Sequence, residues 1–148
     1  MEQTQASAAL IARAQERIRG TFIELIGLKI IEVTSARAVA EIPFTPQLQQ
    51  LTGVFHAGAL LTLADTTATL ASMYWSSGTL DGSADQFPFT IQLSTNFLRN
   101  TNHGTVRAEA TPVHRGRTTM VVETRVSDAG GRLLIVVTTT HLFVGREK

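Results

Sequence analysis

The stretch GVFHAGALLTLADTTATLASMYW, residues 53–75, decides how the chain folds. From Ala57 onward its apolar residues recur at helical spacing. One stripe runs through Leu60, Leu61, Ala64, Ala68 and Ala71, and a second through Leu63, Thr67, Leu70 and Tyr74. A helix that is apolar on nearly every side is buried over most of its surface. The rest of the chain must therefore wrap a helix spanning about 57–75. Asp65 lies inside it, the only formally charged side chain between Glu41 and Asp81.

Upstream, TPQLQQLTGVFH (45–56) reads as a loop with Gly53 in a turn. Residues 28–44 are rich in Ile, Val and Thr and read as a strand, with an irregularity near Ser35 and ended by Pro43 and Pro46. Residues 6–26 have helical spacing, Ser7 as N-cap, Gly27 as the stop and Gly20 as a point where the helix divides. Downstream, SSGTLDGSADQF (76–87) has loop composition. Four β segments follow, at 87–98, 105–113, 118–127 and 132–144, with Gly-bearing turns that join them as antiparallel hairpins. Helices segregated from a run of antiparallel strands make this an α+β chain. The expected form is a curved meandering sheet holding the long helix on one face, its other face covered by a partner subunit. Residues 1–148 form one domain, with 1–27 as an N-terminal helical segment.

Composition narrows the function classes. With 13 Lys+Arg against 12 Asp+Glu, the net charge of +1 gives no global attraction for nucleic acid. Zero Cys excludes a disulfide scaffold, a thiol nucleophile and thiolate metal ligation. No apolar run reaches the roughly 20 residues of a membrane span, and Arg13, Arg17 and Arg19 interrupt the N-terminus, which does not read as a signal peptide. A cytoplasmic protein is expected. There is no GxSxG, HExxH, P-loop or GxGxxG motif, and His56, His103, His114 and His141 lack metal-ligand spacing.

Two features carry chemistry. A carboxylate in an apolar helix costs several kcal/mol unless it is paired, hydrogen-bonded or neutralised. Asp65 is about two turns in, too far from the helix start for the macrodipole to stabilise it. Either a Ser, Thr or backbone N–H holds it structurally, or it faces a cleft as nucleophile or general base. At the helix start, His56-Ala57-Gly58 offers backbone N–H groups that the helix cannot satisfy. They can receive a developing oxyanion; equally, small residues there allow close packing.

Residues 53–68 resemble the signature of the hotdog-fold acyl-CoA thioesterases, in the PaaI-like, phenylacetate-pathway branch. That pattern is approximately N-x-x-G-x-x-H-G-G-x-x-x-x-L-x-D, and here it reads Gln50, Gly53, His56, Ala57, Gly58, Leu63 and Asp65. The resemblance covers most of the chain, more loosely at the N-terminal helix. It implies a hotdog fold, a long helix wrapped by an antiparallel sheet, and hydrolysis of an acyl- or aryl-CoA thioester with no metal or redox cofactor. It also assigns roles. Asp65 is the catalytic acid, the Ala57 N–H polarises the thioester carbonyl with help from Gly58, and His56 positions the loop and the thioester. Gln50 orients the attacking water or the substrate, and Thr90 holds that water. Ala57 replaces a glycine and adds a methyl group at the mouth of the site. Gln50 replaces an asparagine with a longer arm, and a misplacement of about 1 Å can cost on the order of 100-fold in rate.

Helix geometry adds a constraint. Eight residues separate Ala57 from Asp65, about 12 Å at 1.5 Å per residue, whereas both must lie roughly 3 Å from the reacting group. If they act together, Ala57 of one subunit faces Asp65 of another, so a homodimer with two composite sites is expected, with pairing into a tetramer left open. Charge is uneven: residues 1–98 hold five Lys+Arg and eight Asp+Glu, net −3, and residues 99–148 hold eight and four, net +4. The resemblance places the CoA nucleotide at Arg115, Gly116 and Arg117 of the HRGR turn and at Arg99 and Asn100; arginine suits phosphate. His114 and His141 read as structural or surface groups, and Leu51, Phe55, Leu61, Met73 and Phe87 as candidate pocket walls. The competing reading is a non-catalytic acyl-CoA-binding module. A hotdog dehydratase needs a different motif spacing, which is not present.

Overall fold

The computed structural model describes residues 5–82 and 87–145. Its elements are α1 (Ala8–Arg17), α2 (Phe22–Leu25), β1 (Lys29–Val33), β2 (Ala38–Pro43), a 3-10 turn (Pro46–Leu48), α3 (Ala57–Ser77), β3 (Pro88–Phe97), β4 (Thr105–Arg115), β5 (Thr119–Ser127) and β6 (Leu133–Phe143). The six strands form one antiparallel sheet in the order β1-β2-β4-β5-β6-β3. All six touch α3, so the sheet wraps the long helix as the α+β reading and the resemblance require.

Period-two burial explains how. Val106, Ala108 and Ala110 of β4 and Met120, Val122 and Val126 of β5 are buried, as are Ile135 and Val137 of β6. They meet Leu60, Leu63, Ala64 and Ala68 of α3 in one core. The opposite face carries charge: Arg107 pairs with Glu41 at 2.8 Å, and Arg37 with Glu109 and Glu32 at 3.1 Å each. In the single chain that face is charged and exposed. Edge strand β3 exposes four large apolar side chains, Phe89, Ile91, Leu93 and Phe97.

Residues 28–44 are two strands rather than one. The chain reverses after Thr34, whose Oγ1 accepts from the Ala36 and Arg37 amides while its own amide donates to the Arg37 carbonyl at 2.8 Å. A threonine side chain here does what Gly or Asn does in more legible turns. The last four strands do not form a simple meander either. β4, β5 and β6 do, but β3 crosses to pair with β6 rather than with β4. The N-terminal helix divides at Gly20, which adopts φ +74. Helix α3 runs two residues past the expected 75 and ends at Gly78, in the left-handed region with its N–H on the Tyr74 carbonyl. Part of the expected 76–87 loop, residues 83–86, lies outside the described residues.

Helix α1 is tied to the sheet by one side chain. Gln15 Nε2 donates to the Leu28 carbonyl at 2.8 Å, and the Ile30 amide donates to Gln15 Oε1 at 3.0 Å. The amide acts as a short piece of strand against the free edge of β1 and seats Ala14 in the core.

Candidate functional site

The sequence-predicted residues gather in two places. The first is the start of α3. His56 is the N-cap, with extended backbone (φ −64, ψ 136), and its Nδ1 accepts from the Gly58 amide at 2.8 Å. A side chain on Gly58 would put its Cβ 3.0 Å from that Nδ1, so glycine lets the imidazole close over the helix end. The bond has a consequence: the Gly58 amide is occupied, and it is not the open donor expected of it. The next amides, of Ala59 and Leu60, donate to the His56 carbonyl. The Ala57 amide has no acceptor among the described residues, and the residue is exposed. An open cleft of about 600 Å³ adjoins it, lined by Gln50, Phe55, His56, Ala57, Arg99 and Asn100 among others. Asn100 Nδ2 donates to the Phe55 carbonyl at 2.8 Å and so fixes the approach to the helix. Gln50 folds back on its own loop, with its amide N–H on Thr52 Oγ1 and the Thr52 amide donating to Gln50 Oε1.

The second place is two turns along α3. Asp65 is half-buried rather than sealed, within the half-exposed stripe Gly58, Leu61, Thr62, Asp65, Thr66 and Thr69. Its Oδ1 accepts from Thr90 Oγ1 at 2.7 Å. Thr90 sits where β3 loses register with β6, between Thr90 and Gln92; such an irregularity re-aims side chains. Behind Thr90 is His141, fully buried, with Nδ1 3.4 Å from Thr90 Oγ1 and Nε2 2.9 Å from Thr139 Oγ1. Burial holds the imidazole below its ordinary value of 6.5, against the opposing pull of the Asp65 charge and of a hydrogen bond to the Pro88 backbone. His141 is thus a buried ring behind Thr90, the hydroxyl that donates to the acid. The signal was present: counting by twos from Ile135 and Val137 puts Thr139 and His141 at inward positions of β6.

The basic residues divide the same way. Arg99 and Asn100 belong with Ala57, Arg99 donating to the Leu133 carbonyl. Arg115 closes β4 at the other end of the sheet, level with Met120, His141 and Thr90 across the register, and donates to the Ser35 carbonyl. Seven to eight strand residues separate the two groups, roughly 25 Å, so one protomer does not bring them together. Gly116 has a structural cause, since a Cβ there would lie 2.9 Å from both the Thr119 carbonyl oxygen and the His114 ring. Of the expected pocket walls, Met73 and Phe87 line a cavity beneath α1, Phe55 lines the Ala57 cleft, and Leu51 is fully exposed beside Gln50. Trp75 packs on Phe143 with ring centroids 5.9 Å apart. Among the described residues no cluster of three or more His, Asp or Glu is arranged for a metal ion, and no helix is long and apolar enough to cross a membrane.

Comparison with known proteins identifies the family and the fold. A family model described as the thioesterase superfamily matches residues 52–135, more than half of the chain. ComA2 of Bacillus subtilis is 33% identical over 119 residues, which span 80% of this chain and 90% of ComA2. The 1,4-dihydroxy-2-naphthoyl-CoA hydrolase of Listeria monocytogenes is 27% identical over 113 residues, 76% of this chain and 87% of that protein. Among solved structures, thioesterase HI1161 of Haemophilus influenzae superimposes with a TM-score of 0.85 at 20% identity, covering 100% of this chain and 98% of the other. A variant of thioesterase PA1618 of Pseudomonas aeruginosa gives 0.82 at 22% identity, covering 95% and 97%. At those identities the structures speak for the fold.

Proposed function

The chain belongs to the thioesterase superfamily and is a thioester hydrolase, and from that premise we propose that its substrate is an acyl- or aryl-CoA, cleaved with Asp65 as the acid–base group and the Ala57 amide as the oxyanion donor. The observation that carries this reading is the Thr90-to-Asp65 hydrogen bond at 2.7 Å on a carboxylate that stays half-open to solvent. Sealed in an apolar helix, a carboxylate would cost several kcal/mol; this one is aimed by a hydroxyl and left reachable. The CoA part of the reading is supported by the Listeria relative, whose name is that of a CoA-thioester hydrolase.

The chemistry follows from the residues. Asp65 takes a proton from water as the water oxygen bonds to the thioester carbonyl carbon. The carbonyl electron pair moves to oxygen, where the Ala57 N–H receives it. Collapse of this intermediate breaks the C–S bond, and the CoA thiolate leaves and is protonated. Direct attack by Asp65, with a transient anhydride later opened by water, uses the same two groups. Donors of this kind are worth about 3 kcal/mol each in other hydrolases.

Both groups serve one thioester only if two protomers supply them, because they lie about 12 Å apart along one helix. The reading therefore includes a homodimer. Its support is edge strand β3, with one edge free and four large apolar side chains exposed, a surface that proteins normally cover. Dimerisation through β3 brings the half-exposed stripe of α3 near its counterpart, the Ala57 end of one helix towards the Asp65 turn of the other. Arg99 and Asn100 beside Ala57, and Arg115 and Arg117 beyond Thr90, then approach the CoA phosphates from two chains.

The test is thiol release from a panel of acyl-CoA esters by the purified protein and by Asp65→Asn. Turnover by the wild type, with loss of at least about 100-fold in kcat in a variant that still binds CoA and keeps its Tm, supports the hydrolase. Saturable binding of every ester without turnover establishes the binding module instead.

A further inference from the structure

A cavity of about 220 Å³ lies between α1, α2, β1 and α3. Ala14 and Ile18 form its wall on the α1 side, Leu28 its floor, and Thr69, Leu70 and Met73 its wall on the α3 side. Among the described residues, the charged ones that line it are Arg17 and Asp81. The Thr69 hydroxyl is already committed to the Asp65 carbonyl at 2.9 Å, so this residue presents its methyl group. The cavity suits an uncharged apolar group.

Its place in the fold says which group. Thr66 and Thr69, which line it, follow Asp65 on α3 by one and four residues. On the other side it is lined by Phe87, whose ring meets Phe89 edge-on at 5.5 Å, one residue before Thr90. The neighbours of both members of the acid–hydroxyl pair thus frame the same apolar space. From Thr66 to Met73 the cavity follows α3 for about 10 Å. A cavity of about 150 Å³ holds benzene; this one holds a ring with a short extension, or a medium-length aliphatic chain, and is too short for an extended long-chain acyl group. The wall is firm, because Gln15 pins α1 to the backbone at Leu28 and Ile30. The elements that build this wall, α1, α2 and β1, precede residues 52–135, the stretch matched by the family model.

We propose that this cavity is the acyl subsite, that it lies within the protomer supplying Asp65, and that the α1 wall at Ala14 sets acyl length. The proposal rests on the thioesterase reading above. Substrate enters with its acyl group under α1, its carbonyl at Asp65 and its CoA directed away from the cavity, towards the partner's helix start.

The experiment measures kcat/KM for acetyl-, hexanoyl-, benzoyl- and palmitoyl-CoA on the wild type, Ala14→Phe and Met73→Ala. The wild type should favour hexanoyl and benzoyl over palmitoyl. Ala14→Phe fills the cavity and should lower the hexanoyl-to-acetyl and benzoyl-to-acetyl ratios by roughly 10-fold or more, the scale at which a pocket discriminates apolar size. Met73→Ala lengthens the cavity and should raise the palmitoyl-to-hexanoyl ratio. Ratios unchanged within about twofold in both variants overturn the proposal, as does a wild type that prefers palmitoyl. Should Ala14→Phe fail to fold, the Met73→Ala ratio decides alone. A wild type that cleaves none of the four esters counts against the thioesterase reading itself, an outcome distinct from cleavage without the predicted length dependence.

Discussion

Thr90 donates to the Asp65 carboxylate across 2.7 Å, a bond between the start of edge strand β3 and the middle of the buried helix α3. It fixes one carboxylate oxygen and leaves the other for chemistry. Removing the hydroxyl frees the acid to rotate. Thr90→Ala should lower kcat by up to about 100-fold, the cost of a reacting group misplaced by about 1 Å, while Thr90→Ser keeps most of the activity. Thr90 is exposed, so Tm should move little in either variant. Equal kcat in the two variants would remove Thr90 from the mechanism.

His141 stands behind that pair and makes stability depend on pH. Its folded value is lowered, first by burial, relative to the ordinary 6.5 that the unfolded chain keeps. Below about 6.5 the unfolded state takes up a proton that the folded state refuses, so stability falls as pH falls. The contribution is fully present above 6.5 and is lost progressively as pH drops from there to the folded value. Thermal melts between about pH 7.5 and pH 5.5 should therefore show a steeper loss of Tm in the wild type than in His141→Gln, where this term is absent. Parallel slopes would show that the ring titrates freely and that its burial is relieved in solution.

The long helix and its acid were legible because their signals are local. Nineteen residues of helical periodicity interrupted by one charge can be read without knowing what surrounds them. The motif spacing then located Ala57 and Asp65 on that helix. What was not legible depends on pairing. Nothing near Pro88 says that β3 joins β6 rather than β4, because strand order is set by how the sheet closes around α3. The Thr34 reversal was hidden by a turn without glycine or asparagine, and the engagement of the Gly58 amide by a histidine acting as a cap. His141 was legible in principle, since a histidine in register with buried Ile135 and Val137 is a polar group in a core position. The division of the site into two halves followed from a single length, the rise of one helix over eight residues.

The His56 cap offers a stability test separate from catalysis. Its Nδ1 satisfies one of the amides that the start of α3 leaves over. His56→Ala should cost about 1 kcal/mol, or roughly 2–4 °C in Tm for a chain of this size. His56→Asn restores an acceptor of the right reach and should recover most of that loss. If the two variants melt together, the imidazole is held by the loop and caps nothing.

The composite site can be tested with two inactive proteins. Ala57 is the first residue of α3, a position where proline is well tolerated because its missing N–H has no helical partner. His56 before it already has the extended backbone that a following proline requires. Ala57→Pro therefore removes the oxyanion donor and leaves the helix intact, just as Asp65→Asn removes the acid alone. Each homodimer should be inactive. In a mixed dimer, the Asp65→Asn chain supplies an intact Ala57 amide to the intact Asp65 of the other chain, and one of the two sites is whole. Random exchange of equal amounts makes half the dimers mixed, so about a quarter of wild-type activity should return under twofold symmetry. A site built within one chain gives no recovery at any mixing ratio, because every protomer then carries one of the two defects. Co-expression with two different tags, followed by isolation of the doubly tagged species, should raise the recovered activity to about half.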